Sequence, residues 1–454
     1  MPGVFGNPTL ITFLNSERLM SAPGSAIVGP TMNDDRSILR NLAERQAEIA
    51  GLPIHTETIA EWKRLNANKP GRPMVWINEI PWHEMDVDGE LTLQCSDPFC
   101  RSVEETLRRT LYQWNHMRGD MVVEARFDSP LVIHDSGFGI DEDVDIEITD
   151  HRSGIVSREF HNQIDCEKDI EKIRRPVLSH DEEASEKDFQ RLNDCFGDIL
   201  TIEKTGIVHR WFAPWDELIR WWDVQQAMMD LILRPELVHM AMDRLVTAHL
   251  CRLGQWRELN LLTYREGNHR VGSGGMGLAD ELPSEGFDPD HVRTMDQWGC
   301  ATAQIFCDVS PEMHEEFALQ YERRWLEQFG LNYYGCCEPL HGKVDILRSI
   351  PRLRKISTSP WADVAKMVEN TGSDYVLSHK PTPAIFAEDA WNPEQGRRRL
   401  SEALEKADGV AIEVIMKDIS TVRNEPRRLW EWAEMAMDLA TSGGVAARRR
   451  SEKM

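Results

Sequence analysis

This chain of 454 residues contains no apolar run of about 18 residues or more, so no membrane span is expected. It has no surplus of basic residues. The net charge is −24 and the isoelectric point lies near 5.1. A nucleic-acid binder needs a basic face, so that class ranks low, as does an anionic membrane surface. A local basic pocket for a small anion is still allowed, because a pocket does not answer to net charge. The nine cysteines include no CxxC pair. The opening residues, MPGVFGNPTLITFLNSERLM, carry a short apolar patch but neither a basic leader nor a cleavage site, and are not expected to be a signal peptide. The cysteines therefore read as reduced thiols in a cytoplasm. No GxGxxG follows the first strand candidate, which leaves a doubly wound dinucleotide fold as an alternative without positive support.

The hydrophobic fraction of 41% and mean hydropathy of −0.46 describe a soluble globular chain. The fifteen tryptophans cluster, at Trp211, Trp215, Trp221 and Trp222 and again at Trp430 and Trp432. Core and interface packing is the favoured reading over ligand stacking. Apolar runs that end in polar groups recur near residues 75, 122, 207, 261, 333, 355, 375 and 412. Helical spacing fills most intervals: 103–117, 216–232, 235–258, 311–329, 343–350, 362–371, 393–407 and 426–440. Eight strands alternating with helices predict a (β/α)8 barrel of the TIM type over residues 71–440. A helical extension precedes it (1–70), an acidic and charged insertion interrupts it after the second strand (about 131–198), and a basic tail follows (441–454).

In such a barrel, chemistry sits where strands end. The strand-end candidates are Asn78, Glu79 and His83; Arg126 and Asp128; His209 and Trp211; Tyr264 and Arg265; Cys336, Cys337, Glu338 and His341; Ser357 and Thr358; His379 and Lys380; Lys417 and Asp418. The densest is LNYYGCCEPLHGKVDIL (331–347), which places two thiols, a carboxylate and an imidazole within six residues. These groups suit metal binding or proton handling. Side chains alternate along a strand, so Cys336 and Cys337 cannot both face the barrel axis while the chain stays extended. The plainer reading is two buried small residues, a loop glutamate and a surface histidine. His379-Lys380 and Lys417-Asp418 suit a carboxylate or phosphate substrate, or else salt bridges closing the rim. The glycine-rich stretch GNHRVGSGGMG (267–277) lacks a GK[ST] ending and is expected to be a flexible lid or a plain long loop rather than a phosphate cradle.

Four segments carry a resemblance. MDQWGCATAQIFCDVSPEMHEEFALQYERRWLEQFG (295–330) looks like an Asp-x-Trp segment followed by a Ser-Pro-started helix. LNYYGCCEPLHGKVDIL falls on a strand bearing a His-x-Cys-Gly motif. SHKPTPAIFA (378–387) falls on a Gly-Asn-x-Asp-Pro strand, and VAIEVIMKDISTVRNEPRRLWEWAEMA (410–436) on the final strand and helix. Together with the order of segments from 215 onward, the C-terminal half resembles the uroporphyrinogen decarboxylase superfamily. The resemblance implies a (β/α)8 barrel enzyme and, most directly, a methyltransferase-type activity on a small substrate, zinc-dependent and linked to a corrinoid carried by a partner protein. It also implies two alternatives: a metal-free decarboxylase acting on a carboxylated substrate, or a non-catalytic binding subunit of a corrinoid system. Under the first reading Cys336, Cys337, Glu338 and His341 are the metal candidates. Cys337, Glu338, His341 and Asp128 are the catalytic candidates. Glu79, His83, Arg126, His209, Tyr264, Arg265, His379, Lys380 and Lys417 are the substrate-binding candidates. In this sequence the motif histidine falls on Tyr334, and no cysteine follows Cys337. A homodimer is expected from the same resemblance and the tryptophan clusters.

Overall fold

The computed structural model describes residues 32–148 and 157–442. The far N-terminal part of the extension, the middle of the insertion and the basic tail beyond 442 lie outside these residues. Eight strands matter for the site. They are β1 (Met74–Ile77), β2 (Arg126–Pro130), β3 (Thr201–Thr205), β4 (Trp298–Ala301), β5 (Leu331–Tyr334), β6 (Leu353–Thr358), β7 (Val376–His379) and β8 (Ile412–Met416). Six of them form one parallel sheet in the order β1-β8-β7-β6-β5-β4. β2 and β3 form a separate parallel pair. The fold is thus α/β with a parallel central sheet, and among the described residues no ladder closes it into a ring of eight.

The departures from the expected ring have local causes. The run near 122 does not pair with β1. There the Asp120 carboxylate takes the Val75 N–H at 2.7 Å and an Arg72 ion pair at 2.7 Å, occupying the edge a ladder would use. The run near 261 contributes a single bridge, Ile207 to Leu262. β4 takes the place beside β5, although its four residues, Trp-Gly-Cys-Ala, show little strand character in sequence. The helix expected over 216–232 is two helices, Pro214–Trp222 and Val224–Leu233. They meet at Asp223, whose φ is +57° and whose side chain caps the second. The helix from Pro311 runs to Leu326 through a π turn at Glu315–Leu319. Among the described residues no helix is long and apolar enough to cross a membrane.

Alternation along the strands gives the sheet two different faces. Ala301, Tyr334, Ile356, Leu377 and Ile412 join the main core under the helices, with Trp215, Trp222 and Trp325. Trp298, Cys300 and Tyr333 face the other way, against Val271. That second face is filled by the glycine-rich stretch. Residues 271–279 are all buried. A Cβ on Gly272 would lie 2.5 Å from the Tyr333 ring, and one on Gly274 would lie 2.6 Å from Glu413 and from Tyr333. Glycine is required here because the backbone runs against ring and carboxylate with no room for a side chain. The stretch expected to be a flexible lid or a plain long loop is therefore a buried plug.

The plug's inner wall is charged. Lys355 and Glu413, both fully buried, pair at 2.9 Å. Glu413 also accepts from the Gly275 N–H at 3.1 Å, and Lys355 donates to the Met276 carbonyl at 3.1 Å and lies over the Trp62 and Trp298 rings. Each charge meets a partner, as a buried pair requires.

Candidate active site

Because the sheet is parallel, all its strands end on one edge, and the segments that follow them converge there. After β5 the chain turns at Gly335, with φ +97° and no space for a Cβ against Leu340 and Ser357. Cys336, Cys337 and Glu338 follow. The buried Glu338 carboxylate accepts from Thr302 Oγ1 and from the Cys336 N–H, each at 2.8 Å. The Cys336 carbonyl accepts from Ser357 Oγ at 2.7 Å and from Lys380 Nζ at 3.2 Å. These bonds hold the Cys336 thiol in one place. Its Sγ lies 3.6 Å from Cys337 Sγ and 3.7 Å from Lys417 Nζ. The neighbouring Cys337 thiol, then the Lys417 and Lys380 charges, outweigh burial and bring the Cys336 thiol down to about 7. Cys337 moves in the opposite direction, because its thiol is held as the donor and is partly shielded from water.

Two lysines supply the positive field in different ways. Lys417, after β8, pairs with Asp418 at 2.7 Å and Glu79 at 3.3 Å. Glu79 also pairs with Arg270 of the plug at 2.8 Å and accepts from the Asp418 N–H. Burial would raise the Glu79 pKa, but Lys417 and Arg270 hold it well below the usual carboxylate range. Glu79 and Asp418 both adopt left-handed backbone, φ +51° and +56°, at the ends of neighbouring strands. Lys380, after β7, instead donates to neutral oxygens: Ser273 Oγ at 2.7 Å, Tyr333 OH at 3.1 Å, the Cys336 carbonyl and Ser357 Oγ.

A separate cavity of about 300 Å³ is walled by Phe138, Arg210, Trp211, Asp216, Glu217, Arg220, Trp221 and Arg252 among others, and its link to this cluster is Asp216, which feels the Cys336 and Glu338 charges. Asp216 sits in the first turn of the helix Pro214–Trp222 and accepts from Gln304, which follows β4. Its Oδ1 has no hydrogen-bond partner among the described residues. Burial, then the charges of Cys336 and Glu338, push it up to about 8, so it is a protonated acid at neutral pH. The Arg210 Nε is likewise buried without a partner. Arg220 pairs with Glu142 at 2.8 Å and Arg252 with Asp135 at 2.9 Å. An acid, arginines and flat aromatic walls next to a low-pKa thiol can hold an anion and carry nucleophilic and acid chemistry.

The structure gathers Glu79, Cys336, Cys337, Glu338, Lys380 and Lys417, and disperses the remaining candidates. Arg126, on β2, pairs with Glu124 and Glu203, and Arg265, beside the β2–β3 pair, pairs with Asp128 and Glu124. The Tyr264 hydroxyl donates to the Leu282 carbonyl at 2.8 Å. His209 donates from Nδ1 to the Trp298 carbonyl and accepts the Gly272 N–H at Nε2, each at 2.9 Å. Burial holds this ring neutral, with its pKa down to about 4, and its task is to anchor the plug. His379 is buried and lowered to about 4, by burial and then Lys380; its Nδ1 has no partner among the described residues. His83 lies on a short turn, 3.7 Å from the Glu84 carboxylate.

The zinc set is not assembled. His341 lies on the short turn Leu340–Gly342 and accepts the Asp363 N–H at 3.3 Å. Both Glu338 oxygens are already engaged, and the Lys417 ammonium stands 3.7 Å from Cys336 Sγ. Among the described residues no group of three or more His, Cys, Asp or Glu side chains is placed to hold a metal ion. Among the described residues, the side chains at this strand end do not make up the zinc centre that the resemblance implies. Asp216, Arg210, Ser273 and Arg270 were not foreseen. Arg210 follows His209 at a strand end, and Asp216 opens the WDEL turn of a helix, which are the sequence signals that point to them.

No protein-family model and no curated protein matches this chain. Among solved structures, it is similar to a methyltransferase from Methanosarcina mazei, over 84% of this chain and 98% of that one, at 11% identity and a TM-score of 0.47. A likeness at that score bears on neither the activity nor the site.

Proposed function

We propose that the protein is a group-transfer enzyme of the methyltransferase type, acting on a small anionic substrate through the Cys336 thiolate. The observation that carries this reading is the placement of Cys336 Sγ, 3.7 Å from the Lys417 ammonium at the end of β5 and close enough to Asp216 for its charge to raise that acid. The chemistry follows from the groups present. Arg210, with Arg220 and Arg252 along the wall, receives the anionic part of the substrate. The thiolate displaces a leaving group from an activated methyl carbon. The S–C bond forms, the carbon–leaving-group bond breaks, and its electron pair takes the Asp216 proton. A second nucleophile in the cavity then takes the methyl group. The sulfur departs as a thiolate, which is easier for a thiol of pKa about 7 than for an ordinary one.

The test is single-turnover labelling. Wild-type protein is incubated with S-methyl and N-methyl carboxylates bearing isotopic methyl groups, and peptides are mapped by mass. The expected product is one methyl group on Cys336, absent in Cys336→Ser and reduced in Asp216→Asn. Turnover that persists in Cys336→Ser would overturn the reading. A decarboxylase is the second reading, favoured by the raised Asp216 acid beside the arginines. Carbon dioxide release that needs Asp216 but not Cys336 would select it.

A further inference from the structure

Cys336 and Cys337 are neighbours in sequence, yet their sulfurs lie 3.6 Å apart on the same side of the turn after Gly335. An extended strand would send them to opposite faces. The turn that brings them together is held by the Glu338 carboxylate on the Cys336 N–H and by Ser357 and Lys380 on the Cys336 carbonyl. Cys336 is buried, whereas Cys337 is partly exposed. A thiol with lysine beside it and a second thiol behind it is the arrangement of a thiol that reacts with peroxide and is resolved by its neighbour.

We propose that Cys336 and Cys337 form an oxidative modification site for hydroperoxides, closing to a vicinal disulfide that reversibly withdraws the Cys336 sulfur. The steps balance. The Cys336 thiolate attacks one peroxide oxygen; the S–O bond forms, the O–O bond breaks, and hydroxide leaves and is protonated to water. The Cys337 thiol then loses its proton and attacks the Cys336 sulfur; the S–S bond forms, the S–O bond breaks, and a second water leaves. Peroxide gains two electrons and the two thiols lose them. Adjacent residues hold their Cα atoms about 3.8 Å apart, closer than the roughly 4.4 Å at which disulfides ordinarily begin, so this bond is strained and easily reduced. That suits a reversible device rather than a structural bridge. The claim that closure silences the enzyme rests on the transfer role proposed for Cys336; the claim that the bond forms does not.

The experiment is titration of the full chain with hydrogen peroxide at up to one equivalent. Thiols are then blocked with N-ethylmaleimide, and intact mass and peptides are read before and after dithiothreitol. The expected result is loss of two hydrogens, with both cysteines unblocked in one peptide and both recovered by the reductant. In Cys337→Ser the same treatment should leave oxygen on Cys336 instead, progressing to an irreversible sulfinate. Oxygen accumulating on Cys336 of the wild type, a disulfide to Cys300 or Cys307, or no reaction at all would each overturn the proposal. Bond formation without loss of turnover would instead count against the transfer role of Cys336.

Discussion

Replacing Lys417 by methionine removes a buried positive charge while keeping most of the side chain's volume. The ammonium stands 3.7 Å from Cys336 Sγ and is 3% exposed. At about that separation, two unit charges interact by about 1 kcal/mol in a water-like medium and about 4 kcal/mol at an effective dielectric near 20. This corresponds to about 1 to 3 pKa units on the thiol. Removing a cation destabilises the thiolate, so the shift is upward from about 7. Glu79 keeps Arg270 as a partner, so that carboxylate stays charged and pushes in the same direction. The assay is the rate of iodoacetamide alkylation at Cys336, mapped by mass as a function of pH. At pH 7 the variant's thiolate fraction should fall about 5-fold to 500-fold, and its rate about 2-fold to 20-fold once the greater nucleophilicity of a more basic thiolate is counted. Well above both pKa values the order should reverse by about 3-fold to 30-fold, since a more basic thiolate is intrinsically more nucleophilic. Crossed profiles therefore mark a change in pKa rather than in access. Profiles that stay superimposed, or that differ by a constant factor at every pH, would refute the electrostatic argument.

Three further outcomes follow from the same structure. Glu322 is fully buried and raised to about 8, chiefly by burial, with the Glu338 charge adding and the Tyr334 hydrogen bond opposing. Its folded pKa exceeds its unfolded one, so stability is full below about pH 4 and is lost as pH rises through 8, by up to about 1.4 kcal/mol per unit in that window. Urea melts of Glu322→Gln should lack this part of the slope, and an unchanged slope would count against a raised pKa. Gly272→Ala forces a Cβ to within 2.5 Å of the Tyr333 ring at φ +55°, and should cost about 2 kcal/mol or more in chemical denaturation. A loss below about 0.5 kcal/mol would mean that the plug gives way. Lys355→Met strands the buried Glu413 and should cost about 3–5 kcal/mol, much of it recovered by adding Glu413→Leu; an additive double variant would contradict the pairing.

Strand–helix order was legible because β1 and β8 are mainly apolar runs and β5, β6 and β7 each begin on an apolar residue and lead into polar groups. β4 was not, since Trp298–Ala301 is four residues long and contains glycine and alanine. The Cys336 segment was legible for its position alone: a strand end dense in reactive groups. What its neighbours do was hidden, because that depends on residues far apart in sequence. Arg126, Asp128 and Arg265 have the composition of a substrate site, and only the fold reveals that Glu124 and Glu203 stand opposite them. His209 looks like a ligand until both its nitrogens are found bonded to main chain. Asp216 keeps its proton because of burial and of Cys336, 120 positions away, which no local pattern encodes.

The three buried lysines of this sheet separate structural from chemical roles. Lys355, on β6, is matched by a fully buried carboxylate, and the pair holds the plug against the strands. Lys417, after β8, is matched by Glu79 and Asp418, yet still reaches the Cys336 sulfur. Lys380, after β7, meets serine and tyrosine hydroxyls and a carbonyl. A cation held out of water by neutral oxygens alone retains more of its field than one paired with a carboxylate. In a chain of net charge −24 a compensating carboxylate is not scarce. The field left at this corner of the sheet therefore has a specific beneficiary: a negative charge at Cys336 or on a molecule bound beside it. That asymmetry, more than the cysteine pair itself, distinguishes the end of β5 from the other strand ends.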